Sequence, residues 1–265
     1  MLYGAMNFPV KPILDEIEEI AALGFDYLEL AMDPPQSHYT IIRESKDSIL
    51  KALDFHSLQL VCHLPTFVST ADLTQSIRKA SLSEVLESLE VTAELNALKV
   101  VLHPGHIGGL GIFVMDMALN YALESLEAIV AKADHLGLCL CLENLFPKLQ
   151  SFCKPENFVE IFARFPDLKL ALDTGHANID SQDSRKILDF IGQFGQRIGH
   201  IHLSDNLGKR DDHLPIGAGT IDFFKIARAL KKAGYDDTVT LEIFSENRRQ
   251  LQSSREQFAA MLAAG

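Results

Sequence analysis

The chain has 265 residues, with 24 Lys+Arg against 36 Asp+Glu and a formal net charge of −12. Its 47% apolar and 23% charged residues are the proportions of an ordinary globular protein, and no window reaches the roughly 18 unbroken apolar residues of a membrane helix. The acidic balance repels phosphate backbones at long range and weighs against a nucleic-acid partner.

The N-terminus, MLYGAMNFPVKP, lacks a basic stretch leading into a long apolar run, and the four cysteines are too few for a disulfide framework. A cytoplasmic protein is expected. Along the chain, short β-leaning segments alternate with amphipathic stretches of helical period. The expected strands are Tyr3–Met6, Tyr27–Leu30, Leu58–His63, Lys99–His103, Leu138–Glu143, Lys169–Asp173, Ile198–Leu203 and Thr238–Ile243. The expected helices lie near Pro12–Ala22, Ile41–Phe55, Gln75–Leu95, Met117–Leu136, Pro155–Phe165, Ser184–Phe194, Phe223–Lys232 and Ser254–Ala263. Gly24, Gly137 and Gly234 each sit between a helix and the next strand, where a left-handed residue is needed.

No linker or low-complexity tract divides the chain, so residues 1–265 read as one domain. Strand–helix repeats spaced about 23 to 40 residues apart fit the unit of a βα barrel. A doubly wound sheet would want a glycine-rich phosphate turn after an early strand. Asn7-Phe8-Pro9 and Met32-Asp33-Pro34 stand there instead. The expected fold class is α/β, a single (β/α)8 TIM barrel.

In such a barrel the active site lies at the carboxyl ends of the strands. The third strand ends LQLVCHLP, giving His63, and the fourth ends KVVLHPGH, giving His103 and His106. LCLCLEN gives Glu143, KLALDTGH gives Asp173 and His176, IGHIHLSDN gives His202 and Asp205, and TVTLEIF gives Glu242. The loop after the seventh strand adds Asp211, Asp212 and His213. Period-two alternation turns Cys139, Cys141 and Glu143 inward, and points Leu138, Leu140, Leu142 and also Cys62 outward. His38, His56 and His135 read as solvated, and His200, one layer below His202, fits a core or a site role. Acids and imidazoles converging at one mouth would repel or lack solvation without cations, so the cluster asks for metal.

At these residues the chain resembles the xylose-isomerase-like barrel superfamily, which includes endonuclease IV and the sugar isomerases and epimerases. The densest stretch is HIHLSDNLGKRDDHLPIGAGTIDF, supported by LENL, LDTGH and LEIF. For an epimerase-like member, the resemblance implies one divalent ion on Glu143, Asp173, His202 and Glu242, with His176 on a substrate oxygen. For an endonuclease IV-like member it implies three zinc ions. His63, His103 and a bridging Glu143 hold the first; Asp173, His202 and Glu242 complete the second; His176, Asp211 and His213 hold the third. The substrate-binding arginine usual in the epimerases has no clear counterpart, so Lys209 or Arg210 stands in, together with His106. The chain also lacks a basic stripe for DNA.

The expected activity is a metal-dependent isomerase or epimerase of a sugar or sugar phosphate, using one to three Zn or Mn ions. Glu143 and Glu242 would move the proton through an enediolate while His176 steadies the oxygen. The alternative is a trinuclear-zinc phosphodiester or phosphate hydrolase acting on a small substrate. The expected partner is a small molecule. Apolar positions at Phe223-Phe224 and Phe258–Leu262 suggest a possible homo-oligomer.

Overall fold

Eight short segments, each with apolar residues at every second position, supply one face for a helix layer and one for a barrel interior. The computed structural model describes residues 1–149 and 151–264. Its strands are β1 (Leu2–Met6), β2 (Tyr27–Ala31), β3 (Gln59–His63), β4 (Val100–Leu102), β5 (Leu140–Glu143), β6 (Lys169–Asp173), β7 (Ile198–Leu203) and β8 (Thr238–Leu241). They pair in parallel in sequence order, and β8 closes on β1 from Leu2↔Thr238 to Ala5↔Leu241. The TIM barrel expected from the sequence is the fold.

The alternation expected in β5 holds. Leu140 and Leu142 join the large core beneath the helices, whereas Cys141 packs inside the barrel with Tyr27, Val61, Val101 and Ala171. One irregularity sets the site. Between β6 and β7 the register slips from Leu170↔Ile198 to Ala171↔His200, skipping Gly199. A bulge of this kind re-aims the residues that follow it, and here it sets Asp173 directly beside His202.

Two expected strands end early. Pro104 has no N–H to extend the ladder, so β4 stops at Leu102 and His103 begins the loop. Glu242 lies one residue beyond β8, yet its N–H still bonds Leu203 O at 3.0 Å. The helix expected over Ile41–Phe55 divides at Ser45 into Tyr39–Glu44 and Lys46–His56. His38, expected to be merely solvated, caps the first of these by accepting from Thr40 N. The last helix begins at Arg249, ahead of the expected Ser254, because the polar run before Ser254 hides a single buried leucine, Leu251. Gly24, Gly137 and Gly234 adopt φ of +73°, +69° and +71°, as their positions require.

The outer core is aromatic where the helices Glu156–Arg164 and Arg185–Phe194 meet. Phe158 touches Phe152, Phe162 and Phe190 at centroid distances of 6.2, 5.6 and 5.6 Å. Phe223 and Phe258, expected on a partner-facing surface, instead meet edge-on inside the core at 6.3 Å. Only Phe224 of the Phe223-Phe224 pair is exposed. Among the described residues no helix is long and apolar enough to cross a membrane.

Truncating the centre of the aromatic cluster, Phe158→Ala, is expected to cost about 3–5 kcal/mol. Phe224→Ala is expected to stay within about 0.5 kcal/mol of the parent. Thermal or denaturant unfolding of the two variants checks this, and equal effects would contradict the core assignment.

Candidate active site

The carboxyl ends of β3 to β8 bring a set of acids and imidazoles to the floor of one cavity of about 540 Å³. Its lining includes His63, His103, His106, Glu143, His176, Asp211, His213 and Glu242. Asp173 and His202 are fully buried just beneath. All nine positions of the expected ligand set therefore gather in one crater, with His106 at its wall.

At the centre is one imidazole nitrogen. His202 Nδ1 stands 3.1 Å from Glu242 Oε2, 3.2 Å from Glu143 Oε1 and 3.6 Å from Asp173 Oδ2. A single ring nitrogen cannot serve three carboxylates. Asp173 Oδ2 and Glu242 Oε2 are accordingly buried without an aligned hydrogen-bond partner. Uncompensated carboxylate oxygens in such a place are strongly destabilising. The ligand atoms of Glu143, Asp173, His202 and Glu242 all lie within 4.8 Å of one another. Three carboxylates and one imidazole suit a divalent cation, with manganese, magnesium and zinc all compatible.

The local structure divides the labour of each carboxylate. Asp173 caps the short helix Thr174–Asn178 by accepting His176 N on Oδ1, at 2.5 Å, which leaves Oδ2 for the crater. Asn144 brackets the same residue, donating to Asp173 O and accepting from Asp173 N. Glu143 spans two groups: Oε1 faces His202, and Oε2 faces His63 Nε2 at 3.1 Å. His63, Glu143 and His202 form a second convergent group. Glu143 is thus common to both groups, whereas His103, expected beside His63 and Glu143, is in neither.

A third set is tied together through Asp211. Its Oδ2 meets His176 Nε2 at 3.1 Å and His213 Nε2 at 2.9 Å, while its Oδ1 is buried without a partner. His176 Nδ1 is fixed by Asn144 O at 2.9 Å. His213 holds a left-handed backbone, φ +46°, and its Nδ1 lies 3.1 Å from Glu242 O. Such a conformation at a non-glycine residue costs on the order of 1–3 kcal/mol and concentrates at functional sites.

The protonation pattern follows from this crowding. Burial works against a charge on His63, but the hydrogen bond and charge of Glu143 outweigh it and lift the ring to about 9. His213 is likewise lifted to about 9, the Glu242 and Asp211 charges overcoming burial. Burial dominates at His103 and pushes it down to about 3, so this ring is neutral at pH 7. Burial also raises the Asp173 carboxyl. Without a cation, protons on the imidazoles supply the positive charge that the carboxylates require.

Some expected residues lie elsewhere. Lys209 and Arg210 are exposed and do not line the cavity; Arg210, 82% exposed at its side chain, pairs with Asp212 at 3.2 Å. Asp205 works in the loop rather than the crater. Its carboxylate accepts the N–H groups of Gly217, Gly219 and Ile221 and so folds the segment that carries Asp211 and His213. Among the described residues, no Lys or Arg lines the cavity; Phe8, Phe67, Phe146 and Phe244 form much of its wall.

One residue escaped the sequence reading. Glu29, in the middle of β2, is fully buried, with Oε1 3.0 Å from His202 Nε2 and Oε2 3.0 Å from His200 Nε2. Strand ends alone do not find it. The alternation in YLEL does, since it turns Tyr27 and Glu29 inward against Leu28 and Leu30. His200, left between core and site, proves to be interior, bonded to Glu29 and to Thr238 Oγ1.

Comparison with known proteins places the fold. Residues 17–263 match the family model described as xylose isomerase-like TIM barrel. An uncharacterized protein of Methanocaldococcus jannaschii is 28% identical over 97% of this chain and 87% of its own length. Fructoselysine 3-epimerase of Escherichia coli O157:H7 is 21% identical over 95% and 94%. A probable endonuclease 4 of Mycobacterium leprae is 24% identical over 80% and 82%. Among solved structures, a D-tagatose 3-epimerase-like protein superposes with a TM-score of 0.87 at 27% identity, covering all of this chain and 98% of that one. With its fold and nearly its whole length in agreement, the chain belongs to the xylose isomerase-like TIM-barrel family.

Proposed function

We propose that the protein is a divalent-metal-dependent epimerase or isomerase of an unphosphorylated sugar. The observation that carries this reading is the convergence of Glu143, Glu242 and Asp173 on His202 Nδ1 at the floor of an otherwise aromatic cavity. A divalent ion held by Glu143, Asp173, His202 and Glu242 would polarise a sugar carbonyl and its neighbouring hydroxyl and acidify the C–H bond between them. Glu143 and Glu242 come from β5 and just past β8, two separate parts of the rim. One removes the proton and the other returns it, so that the carbon changes configuration through an enediolate. His176, fixed at Nδ1 by Asn144 O, turns Nε2 toward the cavity to steady the oxygen that changes charge. The phenylalanines of the wall offer ring faces for the C–H surfaces of a sugar.

The wall also bears on phosphorylation. Asp33, Glu143, Asp211 and Glu242 line the cavity, and among the described residues no Lys or Arg does. A phosphate monoester brings about −1.5 to −2 charge at pH 7 and would find carboxylates instead of arginines. The relatives named as fructoselysine and D-tagatose 3-epimerases support a keto sugar as the substrate class.

A second reading, a trinuclear-zinc hydrolase of a small phosphodiester, has one specific observation in its favour. Asp211 Oδ1 is buried without a partner beside His176 and His213, and His63 and His103 exceed what a single ion requires. The endonuclease 4 relative supports it as well.

Solvent-deuterium exchange watched by NMR separates the two readings. A panel of unphosphorylated ketohexoses is expected to take up deuterium at the carbon beside the carbonyl, with the corresponding phosphates inert. Glu143→Gln and Glu242→Gln should each slow exchange by about 10²–10⁴-fold. Hydrolysis of a chromogenic phosphodiester without any exchange would overturn the epimerase reading.

The raised imidazoles give a pH dependence of known sign. Burial works against a charge on His202, but the carboxylates of Glu29, Glu143 and Glu242 hold its ring well above the usual imidazole range in the metal-free protein; the proton on its Nδ1 must leave when a cation binds there, so affinity rises with pH. The stability that the paired His63 and His213 give the metal-free protein is fully present below 6.5 and is lost as pH rises through about 9. Calorimetric titration with Mn²⁺ or Zn²⁺ in buffers of different ionisation enthalpy is expected to show net proton release at pH 7. Zero release would contradict the assignment.

A further inference from the structure

We propose that Glu29 is a positioning residue for the crater: its carboxylate grips His202 Nε2–H and so presents Nδ1, as a lone pair, to the cation. This inference rests on the metal reading above. Glu29 sits in β2, a strand that contributes no crater ligand, and is locked between Met6 of β1 and Val61 of β3 by the ladder. Glu29, His200 and His202 are each fully buried. One carboxylate oxygen takes each ring, at 3.0 Å in both cases, and the two rings stand at 88° with centroids 5.0 Å apart. The clamp therefore fixes both the position and the plane of the His202 ring.

The chemistry of the pair decides the tautomer. A buried carboxylate has only acceptors to offer, so Nε2 of His202 must carry the hydrogen. A neutral His202 then has its lone pair on Nδ1, the atom on which the three crater carboxylates converge. Metal-bound histidines generally owe their orientation and basicity to such a carboxylate on the far nitrogen. The network continues downward. His200 Nδ1 meets Thr238 Oγ1 at 2.8 Å, Thr240 Oγ1 lies 3.3 Å from His200 Nε2, and Tyr27 OH meets Thr240 Oγ1 at 2.8 Å.

The rival reading is a second, deeper ion on Glu29, His200 and His202, whose ligand atoms also lie within 4.8 Å of one another. The polar accounting goes against it. Both oxygens of Glu29 are hydrogen-bonded, and neither these nor the ring nitrogens are among the buried atoms without partners. The crater acids with an orphaned oxygen are Asp173, Asp211 and Glu242, one layer above.

The test is the affinity for Mn²⁺ or Zn²⁺, measured by chelator competition, with the visible spectrum of the Co²⁺-loaded protein alongside. Glu29→Gln, which keeps the shape, is expected to weaken binding by about 10–100-fold and to change the Co²⁺ spectrum. Glu29→Asp, which keeps the charge but withdraws the oxygens by one methylene, should also lose affinity and carries the test if the glutamine variant does not fold. Thr240→Val removes a hydroxyl that bonds Tyr27 OH and His200 Nε2 but no atom of His202, and should lower the melting temperature of the metal-free protein while leaving affinity within about twofold. A Glu29 variant that behaves like Thr240→Val, with stability lost but affinity and spectrum kept, would overturn the clamp alone. A parent protein that binds no divalent ion would overturn the metal reading as well.

Discussion

Three carboxylates and one imidazole nitrogen share a space from which water is largely excluded, and the upper half of the barrel is organised around that encounter. Glu143, Asp173 and Glu242 reach His202 Nδ1 from three elements, and two of their oxygens have no hydrogen-bond partner. In a low-dielectric interior this is costly unless a cation is bound, and removing any one group would change the charge balance for all the rest. Protonated imidazoles offset the excess in the metal-free protein.

The scaffold reaches this arrangement by ordinary means. A one-residue slip at Gly199 sets His202 against Asp173, and a short helix capped by Asp173 carries His176. The loop that brings Asp211 and His213 is folded by Asp205, whose carboxylate accepts four backbone N–H groups. The polar residues around the crater thus do two different jobs. Some face the cavity with a lone pair free, and others, Asn144 and Asp205 among them, are satisfied in full and hold the first group still.

Much of this was legible in the chain. Strand–helix alternation revealed the barrel because parallel strands buried on both faces leave short apolar runs. The residues ending those runs gave the crater because βα loops open on one face. Sequence was weaker where position depends on what packs nearby. Phe223 and Phe258 look alike to Phe224 in composition, yet two are core and one is exposed, a distinction fixed by helix phase against neighbouring elements. Lys209 and Arg210 follow the strand-seven histidine closely in sequence, but the loop turns them to solvent. Glu29 was missed because attention to strand ends passes over a carboxylate in mid-strand, although alternation alone points it inward.

The proposed chemistry stands on a divalent ion completing the Glu143, Asp173, His202 and Glu242 cluster. Anomalous diffraction from crystals grown with Mn²⁺ or Zn²⁺, recorded on either side of the metal's absorption edge, would locate that ion. A peak is expected among those four side chains, with His202 ligating through Nδ1. A crater without anomalous density at saturating metal, or a peak lodged instead between Glu29 and His200, would contradict it.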